Sequence, residues 1–168
     1  TSKGKGIAGE IERHNLKLDV DPKDMRQEKF KLYSRFCQNA EIKLFPGAEI
    51  FVKTAAKRFD LAIASGSWGH DIRAILENVG SAHLFPVILG KESAPREKPH
   101  PDIFLEAARN LELEPSECIV VEDALKGLSA AKDAGMACVI VRNRLNADIV
   151  FKQADWVVQG LEDLTLMV

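Results

Sequence analysis

Residues 118–127 read CIVVEDALKG. Cys118, Ile119, Val120 and Val121 make a short apolar, mostly β-branched run that passes straight into two adjacent carboxylates, Glu122 and Asp123, and then into a helical pattern from Ala124. A fully buried parallel strand ends this way in an α/β sheet, and ligands bind just beyond the carboxyl ends of such strands. Two acids at that edge repel one another, so a divalent cation or a basic side chain is their natural third member. Taken alone, the commoner reading is plainer: Asp123 as a helix N-cap and Glu122 as its solvated neighbour.

Outward from this strand the pattern repeats. After Leu44-Phe45-Pro46-Gly47 the chain alternates helix and short apolar strand. The spacing predicts helices over 48–58, 71–78, 101–111, 125–134 and 147–153, strands over 61–64, 86–89, 118–121, 137–141 and 156–158, and a last helical turn. Strands separated by helices of this length imply right-handed crossovers and a parallel sheet covered on both faces, a three-layer α/β architecture.

The first 44 residues have no strand of their own. Asp21-Pro22 is a helix start, an acidic N-cap before a proline at the first helical position. From there Met25, Phe30, Tyr33, Phe36 and Cys37 recur at helical spacing to about residue 40, an aromatic stripe that reads as core. Gly4, Gly6 and Gly9 spell a GxGxxG, but a dinucleotide-binding turn needs a buried strand before it, and residues 1–3 supply none. Lys3 and Lys5 sit instead on a loop opening a short helix over 7–15, where they are either solvated or meet an anionic substrate.

Composition limits the partners. With 168 residues, 46% hydrophobic and 29% charged, the chain has the makings of one soluble core. A formal net charge of −2 without a Lys/Arg block gives no reason to expect nucleic acid or an anionic membrane as partner. Cys37, Cys118 and Cys138 are odd in number and widely spaced, which fits reduced thiols in a cytoplasmic setting better than a disulfide framework or zinc site. A monomer or weak dimer is the expected state.

Two further strand ends bear comparison with Glu122-Asp123. LAIASGS (61–67) ends in Ser65, Gly66 and Ser67 just before a helix, where a hydroxyl and backbone amides make a small anion cradle; the plain alternative is that Ser65 or Ser67 merely caps that helix. Lys98-Pro99-His100-Pro101-Asp102 precedes another helix, its prolines stiffening the approach of Lys98. A lone loop lysine is usually solvated, but one aimed at the Glu122-Asp123 edge would join a phosphate, a metal and two carboxylates in one charge-balanced cluster. His100 reads as a helix cap rather than a base.

The ordered set LAIASGS, KPHPDIF, VVEDALKG and the following AAKDAGM resembles motifs two, three and four of the haloacid dehalogenase-like (HAD) phosphohydrolase superfamily. It is most similar to the branch that includes β-phosphoglucomutase and small sugar- or nucleotide-phosphate phosphatases, with a helical cap inserted after the first motif. The resemblance implies a Rossmann-like core over residues 45–168 and a partial helical cap over residues 1–44. It implies that Ser65, with Gly66 and Ser67, binds the transferring phosphoryl group, that Lys98 neutralises phosphate and nucleophile, and that Glu122 and Asp123 hold Mg²⁺ directly or through water. Trp68 and His70, with Lys3 and Lys5 on the cap, are candidates for shaping the choice of a small phosphorylated metabolite.

One part of the family pattern is missing. The family's nucleophile is the first aspartate of a DxDGT-type motif on an N-terminal central strand, and the second aspartate acts as general acid and base. Asp19-Val20-Asp21 is a DxD, but proline follows it in a cap-like turn. The expectation is therefore a core lacking its first strand in a fragment of a longer polypeptide, the nucleophile lying upstream. The activity implied is Mg²⁺-dependent hydrolysis of a small phosphomonoester; the alternatives are a phosphomutase and a non-catalytic binding module of the same fold.

Overall fold

The computed structural model describes residues 14–15, 21–40 and 42–166. Their elements are α1 (Pro22–Gln38), α2 (Ala48–Ala55), β1 (Ala62–Ala64), α3 (Gly69–Asn78), β2 (Val87–Leu89), α4 (Asp102–Asn110), β3 (Ile119–Glu122), α5 (Leu125–Asp133), β4 (Ala137–Val141), β5 (Trp156–Val158) and α6 (Leu161–Thr165). Gly4, Gly6 and Gly9, Lys3, Lys5 and most of the expected helix over 7–15 lie outside the described residues; His14 and Asn15 form a turn.

All strand pairings are parallel, as in a Rossmann-type fold, but the sheet comes in two pieces. β1 pairs with β2, and β3–β4–β5 form a second sheet. Among the described residues no strand pairs with the outer edge of β1 or of β3. Helix α4 packs against β1 and β2 and also touches α5, which lies on β3 and β4. The core forms where these meet: Ile103, Phe104 and Ala108 of α4, Leu128, Ala130 and Ala131 of α5, and Val120, Cys138 and Ile140 of the strands.

Burial of the 118–121 run differs from expectation. Val120 is buried, but Ile119 is 60% and Val121 42% exposed. Strand side chains alternate between faces, and α5 covers only one face of β3. Val121 faces a cavity instead.

The expected helix over 147–153 does not form; residues 144–148 and 152–153 are turns. The reason lies in Arg142, whose Nη1 donates to the carbonyls of Asn146 (2.7 Å), Ala147 (3.2 Å) and Ile149 (2.7 Å), oxygens a helix would need for its own amides. Phe151, 6% exposed, pins the end of this loop into the core.

Helix α1 starts as its sequence directs. The Asp21 carboxylate accepts the Lys23 N–H at 2.7 Å and Pro22 takes the first position. Asp21 is thus spent on helix capping, while Asp19 and Val20 lie outside the described residues. α1 packs on α3; Cys37 is wholly buried there, and its carbonyl accepts from Asn78 Nδ2 at 2.8 Å. Tyr33 of α1 lies close to Ser67, in the segment after β1.

Candidate active site

A cavity of about 770 Å³ opens at the carboxyl ends of β1 and β3. Ser65 and Gly66 reach it from the end of β1, Lys98 from the loop before α4, and Glu122 and Asp123 from the end of β3. Five residues scattered along the chain thus share one hollow.

Lys98 joins the two sheets. Its Nζ donates to the Ala64 carbonyl at 3.1 Å and to Glu122 Oε1 at 2.5 Å, and lies 4.4 Å from the centre of the Phe104 ring. The Lys98 and Glu122 side chains are only 10% and 12% exposed. An ammonium has three N–H donors; among the described residues two of them meet oxygen acceptors. The other oxygen of Glu122 accepts the N–H groups of Asp123 (3.0 Å) and Ala124 (3.2 Å). Gly127, in the first turn of α5, makes room for this carboxylate: a Cβ there would overlap it.

Asp123 is not a helix cap. The N-cap of α5 is Ala124, with no side-chain capping bond. The Asp123 carboxylate lies at the cavity, where Oδ2 accepts from Asn143 Nδ2 at 2.8 Å. Mg²⁺ is commonly held by one or two carboxylates plus waters and substrate phosphate. Among the described residues no group of three or more His, Cys, Asp or Glu builds a fuller cage. This donor set is compatible with such an ion, with both Glu122 oxygens already accepting hydrogen bonds.

At the end of β1, Ser65 continues the ladder by donating its N–H to Leu89 O at 3.0 Å, while its hydroxyl accepts the Ser67 N–H at 3.1 Å. That leaves the hydroxyl proton of Ser65 to donate. Neither serine caps α3, whose N-cap is Trp68. Gly66 leaves open space, with no atom within 4 Å of where a Cβ would stand. Ser67, Trp68 and His70 do not line the cavity. Trp68 stacks on His70, and His70 Nε2 lies 3.2 Å from the buried carboxylate of Asp71. His100, expected as a cap, precedes the actual N-cap Pro101 and donates its N–H to Glu97 O.

The lining holds six basic and four acidic side chains, the reverse of the chain's net charge of −2. Arg96 is committed to Asp102, through bonds of 3.0 and 2.7 Å. Lys91, Lys126 and Arg144 also line the cavity, and sequence reasoning missed all three. Lys91 had no signal to betray it: its Nζ lies over the Trp68 ring (3.7 Å) and the Phe30 ring of α1 (4.5 Å), contacts made only in the fold. Arg144 and Asn143 had one, since both follow the end of β4, where ligand-facing residues of a parallel sheet collect.

The parallel α/β core gathers a hydroxyl, an ammonium and twin acids at its strand ends. The chain belongs to the haloacid dehalogenase-like hydrolase family, whose model matches residues 8–141. It is 33% identical over 158 residues to the bifunctional riboflavin kinase/FMN phosphatase of Arabidopsis thaliana, covering 93% of this chain and 41% of that protein. To fructose-1-phosphate phosphatase YqaB of Escherichia coli it is 32% identical over 124 residues, 74% of this chain and 65% of that one. The chain thus spans less than two thirds of either relative. The crystal structure of CbbY from Rhodobacter sphaeroides in complex with phosphate superposes with a TM-score of 0.80 at 28% identity, covering 98% of this chain and 76% of that chain. For β-phosphoglucomutase from Clostridium difficile the TM-score is 0.71 at 29% identity, with coverage of 92% and 69%.

Proposed function

We propose that this chain carries the phosphate- and cation-handling half of a phosphatase acting on small phosphomonoesters such as sugar or nucleotide phosphates. The observation that carries the reading is the meeting of Ser65, Lys98 and Asp123 in one cavity. Relatives named as FMN and fructose-1-phosphate phosphatases support hydrolysis; the likeness to a β-phosphoglucomutase keeps phosphoryl transfer to a sugar hydroxyl as the second reading.

In this proposal residues 45–168 are the core and residues 1–44 part of a helical cap. The outer edges of β1 and β3 take a further strand, which brings an aspartate nucleophile to the cavity mouth. That carboxylate attacks phosphorus in line, the ester's alcohol leaves with a proton from a neighbouring acid, and water then cleaves the acyl phosphate. Lys98 places its third N–H and its charge on the transferring oxygens, and the Ser65 hydroxyl donates to one of them. Both act where negative charge spreads, in a site whose polar groups are already oriented. Asp123, with Glu122 through water, would hold Mg²⁺, whose chemistry is to neutralise phosphate charge. Buried thiols at Cys37 and Cys138 support a reducing, cytoplasmic setting.

Hydrolysis of p-nitrophenyl phosphate by the whole protein tests this. Turnover is expected to vanish with a chelator and to fall by about a hundredfold or more in both Asp123→Asn and Lys98→Gln. Undiminished turnover in Asp123→Asn would remove the cation role from that residue.

A further inference from the structure

The loop that replaces the expected helix after β4 is organised around Asp123. Asn146, only 3% exposed, uses its amide three times: Nδ2 donates to the Asp123 carbonyl at 2.9 Å and to the Val141 carbonyl at 3.0 Å, and Oδ1 accepts the Asn143 N–H at 2.9 Å. Asn143 in turn accepts the Leu145 N–H on Oδ1 at 2.7 Å, which fixes its rotamer and points Nδ2 at Asp123 Oδ2, 2.8 Å away. Arg142 closes the loop from the other side through the carbonyls of Asn146, Ala147 and Ile149 and lies over Phe151. Every polar atom of the two asparagine side chains is thus committed, and Asp123 is gripped at both main chain and carboxylate.

From this bracket we infer that Asn143 and Asn146 are positioning residues for the Asp123 carboxylate, preorganising it for a divalent cation. The inference rests on the proposed cation role of Asp123. An unsupported aspartate at a strand end samples several rotamers and loses that freedom on binding. Here Asn143 donates to one oxygen, which fixes the carboxylate plane and leaves the other oxygen for the ion. Asn146 fixes the peptide from which the side chain departs. Groups that orient a metal's ligands in this way typically matter by ten- to a hundredfold in affinity.

Asn143→Ser separates orientation from loop folding. A serine hydroxyl at 143 can still accept the Leu145 N–H and keep the local turn, but it is too short to reach Asp123. The experiment is Mn²⁺ binding, with free Mn²⁺ counted by electron paramagnetic resonance, for the whole protein, Asn143→Ser, Asp123→Asn and the double variant. Asn143→Ser is expected to weaken Mn²⁺ binding about tenfold, and the double variant to bind no more weakly than Asp123→Asn alone. Wild-type affinity in Asn143→Ser, or losses that multiply in the double variant, would overturn the inference while leaving Asp123 as a ligand. Unchanged affinity in Asp123→Asn would overturn the cation reading and the inference with it.

Discussion

Cys138 lies in β4 with no exposed surface, and burial, followed by the nearby Glu122 and Asp155 carboxylates, pushes its thiol up to about 11. An acid whose pKa is raised by folding stays protonated in the fold at pH values where the unfolded chain has ionised. Its stabilising contribution is therefore full below the unfolded value and is lost as pH climbs toward 11. At about 1.4 kcal/mol per pH unit, the loss is on the order of 2 kcal/mol. Denaturant unfolding between pH 8 and pH 11 should fall more steeply for the wild type than for Cys138→Ala; parallel curves would show that the thiol is not the titrating group. Asp155 has the opposite sign. Its bonds to Lys132 and to the Cys138 N–H hold its carboxyl below the usual range, so that contribution disappears only in acid.

At the scale of elements, the closest fit in the site is between α5 and β3. Alanine is a better helix former than glycine by about 1 kcal/mol, so Gly127→Ala would stabilise an isolated helix. Here the added methyl would overlap the Glu122 carboxylate, which is held by Lys98 and two backbone amides. Overpacking of this kind costs about 1–3 kcal/mol, and the carboxylate cannot swing aside without abandoning Lys98. Gly127→Ala should therefore have a lower unfolding midpoint than wild type in urea; an equal or higher midpoint would mean that Glu122 moves freely.

The elements differ in how plainly the sequence announced them. β4 and β5 form over the expected residues because their apolar runs are bounded by polar or glycine-containing turns, and α1 begins at Asp21-Pro22 because that pair satisfies a helix start by itself. The 147–153 segment has apolar residues at helical spacing, yet Arg142 takes the carbonyls of Asn146, Ala147 and Ile149 and holds it in turns. Tertiary hydrogen bonds overrode local pattern there. Within the site, Ser65, Lys98, Glu122 and Asp123 were legible because each lies at or just before a change of secondary structure and carries the chemistry an anion requires. Lys91 and Lys126 were not, since an ordinary loop or helix lysine acquires a role only from what folds against it.

At the scale of the molecule, the parallel sheet is divided between β1–β2 and β3–β4–β5, and the cavity lies at the division. What spans the division at the site is Lys98, bonded to the end of one sheet and to an acid at the end of the other. Fold and proposed chemistry therefore share a residue: the ammonium that would meet phosphate also joins the two halves. The cavity lining carries more basic than acidic side chains although the chain as a whole is slightly acidic. α1, packed on α3 with Tyr33 close to Ser67, places helical structure near that end of the sheet.

The convergence of Ser65, Lys98 and Asp123 on a phosphate beside Mg²⁺ is tested most directly by calorimetric titration of inorganic phosphate into the whole protein. The account predicts binding that requires Mg²⁺ and that weakens by about tenfold or more in each of Ser65→Ala and Lys98→Gln, the usual loss when one hydrogen bond to a charged group is removed. Equal phosphate affinity in all three proteins, or binding indifferent to Mg²⁺, would contradict it.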